Sequence, residues 1–152
     1  MTDTFLIADG SEASAIRTRA VLADLGYDAA IVRSAVEALQ VCVNQGPAVL
    51  LASHPLPDMD TRELLRILKQ SRDELETIVV CARRSLPTAA RRLRPLVSGL
   101  VGSPIQPAEM ELALRGVMER IDLRRQLQRG KRDIARRIRR RYVKQIETER
   151  FL

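Results

Sequence analysis

Apolar residues fall along this chain in short dense runs, separated by longer stretches where they recur every three or four positions. Dense runs bounded by turn signals suit fully buried strands, and the wider spacing suits helices with one buried side. Residues 4–8 form the first run, which ends at Asp9-Gly10. A helix then starts at Ser11 or Glu12 and runs to Leu25, with Ile16, Ala20, Leu22 and Leu25 as its buried side and Gly26 as its stop. Residues 27–32 read as a second strand. Ser34, with Glu37 three residues on, makes a capping box for a helix through Val36, Leu39, Gln40 and Val43. Residues 48–52 form a third strand, and Thr61 caps a helix bearing Leu64, Leu65, Ile67 and Leu68. Residues 76–81 are a fourth strand, 85–94 a short helix after Ser85, and 97–101 a fifth strand that ends at Gly102-Ser103-Pro104. Pro107 suits the first position of the last helix. Five apolar strands alternating with helices predict an α/β fold, a doubly wound parallel sheet covered on both faces. In such a sheet, functional groups gather beyond the carboxyl ends of the strands.

From Pro107 the helical pattern outruns that sheet. Met110, Leu114, Val117 and Ile121 recur at spacings of four, three and four, a coiled-coil-like seam that Leu123 and Leu127 continue on a rotated face. As one helix, residues 107–129 would be about 35 Å long at about 1.5 Å per residue. That exceeds what the sheet can cover, so part must project or meet a partner. Gly130 costs about 1 kcal/mol relative to Ala inside a helix and predicts a hinge or break. Beyond it Ile134, Ile138, Tyr142 and Ile146 recur every four residues, with Val143 beside them. Lys131, Arg132, Arg136, Arg137, Arg139, Arg140, Arg141 and Lys144 surround that stripe, so the segment reads as a basic amphipathic helix. We therefore expect residues 1–122 to form the α/β domain and 123–152 a helical extension.

Charge sharpens this division. Residues 1–114 hold 12 Lys/Arg against 14 Asp/Glu, a net of −2, and residues 115–152 hold 14 against 5, a net of +9, which together give the +7 of the chain. A near-neutral domain thus carries a strongly basic tail. Aromatic residues make up 3% with no Trp, so the core must come from Leu, Val, Ile and Ala. Cys42 and Cys81 are too few and too far apart for a zinc site or a disulfide framework. No apolar run approaches the roughly 20 residues of a membrane span. The first residues carry Asp3 and lack a basic segment before an apolar stretch, so no export signal is visible and the cytoplasm is the expected compartment.

The chemistry turns on residues 50–60, where an apolar run ends at Ser53 and Pro57 follows four residues later in a Pro-Asp-Met-Asp turn. This segment resembles the phosphoacceptor segment of response-regulator receiver domains (the CheY-like family), in which an aspartate closes the third strand and a proline follows at that distance. The strand–helix alternation over roughly residues 4–122 is similar to that family in order, length and spacing, as are the 28 residues from Ser53 to Cys81 and the 22 from Cys81 to Ser103. The resemblance implies the flavodoxin-like strand order 2-1-3-4-5. It also implies a pocket at Asp9, Gly10, Ser53, Cys81 and Ser103. Receivers carry two acids after the first strand that bind Mg²⁺ together with the acceptor, where this chain has Asp9 and Gly10. They place Thr or Ser before Ala after the fourth strand, and here the pair is Cys81-Ala82. Their Lys-Pro after the fifth strand is here Ser103-Pro104, with Ile105-Gln106-Pro107 leading into the helix.

We read these five positions as a vestigial phosphorylation pocket. A serine cannot form an acyl phosphate. Asp9 alone would hold a hard divalent cation poorly, and Ser103 supplies no cationic clamp for a transferring phosphoryl group. Neither a metal nor a cofactor is expected. Ser53 is read as a small pocket-filling residue rather than a kinase target, His54 as a loop side chain rather than a phosphoryl acceptor, and Asp9 as a helix cap or a partner for loop amides. Cys81 is read as a small hydrophobe rather than a thiolate stabilised by Arg83 and Arg84. No catalytic constellation can be assembled from one histidine without a nucleophile elbow, so the chain is not expected to be an enzyme. The expected function is that of a phosphorylation-independent signalling adaptor. Its seam (Met110, Leu114, Val117, Ile121, Leu127, Ile134, Ile138 and Tyr142) would pair two copies or dock a signalling partner. Nucleic-acid binding through the arginine-rich helix is the alternative, by phosphate contacts rather than base readout, and an anionic membrane surface ranks third.

Overall fold

A computed structural model of the protein describes residues 4–44 and 46–150, the last by its backbone alone. Residues 1–3, 45, 151 and 152, which the expected domain ranges include, lie outside the described residues. The strands are β1 (Phe5–Ala8), β2 (Ala29–Val32), β3 (Val49–His54), β4 (Glu76–Ala82) and β5 (Gly99–Ser103). They alternate with helices α1 (Glu12–Asp24), α2 (Ala35–Asn44), α3 (Thr61–Ser71), α4 (Leu86–Leu93) and α5 (Pro107–Arg150), and a 3-10 turn, Arg83–Ser85, precedes α4. All five strands are parallel in the order β2-β1-β3-β4-β5, as expected.

Several boundaries move for local reasons. β2 starts at Ala29 rather than 27, because Gly26 takes φ +93° and the Tyr27 N–H turns back to the Leu22 carbonyl at 2.9 Å. β3 runs on to His54, whose ladder partner is Cys81. β5 starts two residues later than expected, at Gly99 opposite Ile78. Asp60 rather than Thr61 caps α3, accepting from the Arg62 N–H, while buried Thr61 donates its hydroxyl to the Ser53 carbonyl at 3.1 Å. Ser85 makes no side-chain cap at the start of α4. The Ser34 hydroxyl does accept from the Glu37 N–H, but the Glu37 carboxylate takes the Arg33 N–H rather than closing the box on Ser34.

Which helix side is buried also departs from the apolar pattern. α1 buries Ala15, Thr18 and Leu22 and leaves Ile16 exposed. α2 buries Ala35, Ala38 and Cys42 and leaves Val36 and Val43 exposed. In α2 the small side chains let the helix backbone approach the sheet closely, and that packing outweighs the larger transfer energy of the branched residues. Thr18 tolerates burial because its hydroxyl donates to the Ser14 carbonyl at 3.1 Å. One core cluster joins Leu6, Ala8, Leu50 and Ala52 to Ala38, Cys42, Leu64 and Leu68. A second joins Leu65, Val79, Cys81, Ala89 and Leu93. Each fully buried leucine contributes about 1.5–3 kcal/mol of transfer free energy.

The chain falls into two compact units that divide between Val117 and Met118. In the first, the opening turns of α5 lie over β5, where a Cβ on Gly99 would sit 3.6 Å from that of Ala113. Met110, Leu114 and Val117 are 0–2% exposed there. The expectation that they form a seam for a partner is corrected: their stripe is consumed by the protomer's own core. Ile121 is buried as well.

In the second unit every described side chain from residue 126 to 149 is exposed. Leu127, Ile134, Ile138 and Tyr142 are 58–65% exposed. The break expected at Gly130 does not occur, because a single glycine costs less than the hydrogen bonds a break would release. No helix among the described residues is long and apolar enough to cross a membrane.

A Cβ added at Gly130 would meet nothing within 4 Å. Gly130→Ala is therefore expected to stabilise the helix by about 1 kcal/mol, read as a higher denaturation midpoint in far-ultraviolet circular dichroism. A lower midpoint would show that the position needs a conformation other than helix.

Candidate functional site

The parallel register carries the ends of β1, β3, β4 and β5 to one edge of the sheet. Ala8 pairs with Ala52, so Asp9 and Ser53 follow side by side, while Cys81 pairs with Gly102 and Ser103 follows next. The structure thus brings Asp9, Gly10, Ser53, Cys81 and Ser103 to the same carboxyl edge, though not all into one pocket.

Asp9 is buried, and its Oδ1 accepts the Ser11 N–H at 2.9 Å, so it satisfies the loop amide that opens α1. Gly10 has no carboxylate, and a Cβ there would lie 3.0 Å from Cδ of Pro57, a contact tight enough to require the ring to shift. Its carbonyl accepts from Arg33 Nη2 at 2.8 Å, which brings a guanidinium to this corner. Ser53 is half-buried. A divalent cation of the Mg²⁺ type wants several oxygen ligands, carboxylates foremost. Here one carboxylate, already engaged by an amide, stands beside a hydroxyl, and among the described residues no three His, Cys, Asp or Glu side chains are placed to share a metal. These residues do not fit such an ion.

Cys81 points into the apolar cluster of Leu65, Val79, Ala89 and Leu93, and burial pushes its thiol up from the ordinary value. Arg83, one of the two arginines considered as its activators, turns elsewhere. Its Nη2 donates to the carbonyls of Gly102 at 3.3 Å and Pro104 at 3.1 Å and to Glu109 Oε2 at 3.0 Å. Glu109 Oε1 accepts the Gly102 N–H at 2.9 Å, and that bond, with Arg83 beside it, holds the carboxyl below its usual range. Ser103 is exposed next to this clasp. The β4–α4 and β5–α5 connections are therefore fastened to one another.

Asp58 does comparable work at the next loop. Its two carboxylate oxygens accept the Ala35 and Val36 N–H groups at 2.8 and 3.0 Å, tying the turn after β3 to the start of α2 and lowering the carboxyl's pKa. Asp60, besides capping α3, accepts from Arg92 Nη2 of α4 at 3.0 Å. Sequence reasoning missed Arg33, Asp58, Arg83 and Glu109 as organisers of this edge. Apart from the Gly102 amide, seven residues from Glu109, the partners cited lie 19–26 residues away, beyond the reach of any local motif. The one visible signal was an acid within the first turn of α5. The basic residues singled out on α5 lie on the exposed second unit, where Arg136, Arg139, Arg140, Arg141 and Lys144 border one surface depression together with Val143.

Comparison with known proteins agrees with this architecture. The response regulator receiver domain family matches residues 5–115. Response regulator MprA of Mycobacterium ulcerans (strain Agy99) is 25% identical over 123 residues, 81% of this chain and 53% of that protein. The chain thus spans about half the length of that curated relative. A CheY-like response regulator receiver domain protein from Methanospirillum hungatei JF-1 superposes with a TM-score of 0.70 at 25% identity, covering 80% of this chain and 98% of that one. NtrX from Brucella abortus shares the fold, with a TM-score of 0.73 at 19% identity over 84% of this chain and 29% of its own.

The Asp58 clamp has a definite pH signature. Its folded-state pKa is depressed by the two backbone N–H groups, so its contribution is complete above the unfolded value of about 3.9 and fades as pH falls through the folded one. Asp58→Ala is expected to be less stable than the parent at pH 7, and the gap should close as denaturation is repeated at pH values progressively below about 4. A gap that persists to the lowest pH would deny the carboxylate this role.

Proposed function

This chain belongs to the response regulator receiver domain family, and on that footing we propose that it is a phosphorylation-independent signalling adaptor of the cytoplasm, without catalytic activity, which docks through its C-terminal helix to a second copy or to a signalling partner. The observation that carries the reading is the make-up of the carboxyl edge. Asp9 is engaged by a loop amide, position 10 is a glycine under Pro57, the β3 position that would accept the phosphoryl group is Ser53, and Ser103 offers no cation. The Arg83–Glu109 clasp joins the two connections that would have to respond to phosphorylation. With the receptor chemistry gone and the surfaces kept, binding is the activity left. The exposed stripe of Leu127, Ile134, Ile138 and Tyr142 on the second unit supplies a place for it.

A second reading rests on a different observation, the five basic side chains that border one surface depression with Val143. They would neutralise phosphates in nucleic acid with an affinity that falls steeply with salt. Apolar residues at that stripe add nothing to such binding, which is why the docking reading is preferred.

Incubation with radiolabelled acetyl phosphate and Mg²⁺ is expected to leave the protein unlabelled. Labelling that Ser53→Ala abolishes would refute phosphorylation independence. Light scattering on the full chain separates the remaining readings: we expect a dimer at micromolar concentration that the double change Ile134→Ser/Ile138→Ser converts to a monomer. A monomer in both cases would move docking to a different partner. A low-salt gel shift that depends on Arg136, Arg139 and Arg140 would then favour nucleic acid.

A further inference from the structure

His54 is the last residue of β3 and the chain's only histidine. Strand alternation turns its ring to the face opposite Ser53, where it lines a pocket together with Ser85, Thr88, Ala89, Arg92 and Leu93. The pocket holds about 160 Å³, well beyond the roughly 10–15 Å³ that one water requires. The ring's Nδ1 is buried inside the protein and has no hydrogen-bond partner among the described residues. His54 therefore contributes a ring to the wall of a cavity large enough for a small polyatomic group.

The lining indicates which group. Each polar side chain on the wall can donate: the Ser85 and Thr88 hydroxyls, the Arg92 guanidinium and the imidazole through a ring N–H. Ser85 makes no capping bond to α4, so its hydroxyl is uncommitted there. Arg92 is steadied by one bond to Asp60 Oδ2, and its planar fork carries further N–H groups. No carboxylate is part of the wall itself. Along the chain no Asp or Glu occurs between Glu76 and Glu109, while Arg83, Arg84, Arg91, Arg92 and Arg94 all do; Glu109 pairs with Arg83 and Asp60 with Arg92, so the surplus charge of this stretch is positive. Summed positive charge of this kind concentrates anions.

From these observations we infer that the pocket between the end of β3 and α4 binds a small tetrahedral oxyanion, either free phosphate or the phosphoryl group of a small metabolite. The oxyanion accepts from the Thr88 and Ser85 hydroxyls, from Arg92 and from His54, and so ties the strand end to α4. The site is distinct from the edge around Asp9 and Ser53 and does not depend on how that edge functions.

The single histidine makes the test direct. The ring protons of His54 are followed by NMR as inorganic phosphate is titrated into the full-length protein at fixed pH and ionic strength, with chloride as control and glycerol 3-phosphate in parallel. Phosphate is expected to produce a saturable shift that chloride does not. A matching response to glycerol 3-phosphate would assign the site to a metabolite's phosphoryl group, and no response would assign it to the free ion. Thr88→Val and Arg92→Gln, checked by thermal melts to be folded, should each weaken binding about tenfold. A shift that stays linear in phosphate, an equal shift with chloride, or saturation unchanged in both variants would overturn the proposal.

Discussion

A parallel sheet must be covered on both faces, and that constraint organises the rest of the molecule. Five strands that run the same way cannot be joined by tight turns, so each connection carries a helix, and each helix lands on one face or the other. The strands are consequently apolar on both sides, as the fully buried runs Phe5–Ala8 and 49–52 illustrate. The helices that cover them bury one side each: α3 presents Leu64, Leu65 and Leu68, whereas α2 presents Ala35, Ala38 and Cys42 while its bulkier valines stay outside. Polar chemistry is thereby driven to the carboxyl edge, where the chain leaves the sheet and loop amides need partners.

What fills that edge here is fastening. Asp9 serves the amide of Ser11, Asp58 serves two amides at the start of α2, and Glu109 serves the amide of Gly102 while pairing with Arg83. A carboxylate that accepts backbone N–H groups is stabilised in its charged form and is occupied by that task. The same edge in the receiver family is a place where acids gather to hold a cation and a phosphoryl group. In this chain the acids are spread among separate loops, each with an assigned amide or guanidinium. On our reading, the protein retains the family's frame and uses its charges to hold the loops in one arrangement.

The basic helix follows a different logic. Its first stripe, through Met110, Leu114 and Val117, is part of the core. The apolar residues further along lie on a rotated face and are exposed among arginines. On our reading, an apolar line of this kind on an otherwise charged helix is a docking surface. The helix continues through Gly130.

By itself the sequence determined the fold class, the strand order through its likeness to receivers, and the positions of all five strands to within two residues. Period and length decide these, and both are local properties that survive without any knowledge of neighbours. The placement of Asp9, Gly10, Ser53 and Ser103 at the carboxyl edge was legible for the same reason, since the ends of parallel strands must share an edge. Tertiary structure decided what local pattern cannot hold. It turned Cys81 into the apolar layer, made core of a stripe that read as a partner seam, and chose small residues over branched ones for the buried side of α2. It also supplied the pairings of Asp58 with α2 and of Arg83 with Glu109, which join residues 22–26 positions apart. These outcomes depend on close approach between surfaces distant in the chain, and that geometry exists only once the sheet has formed.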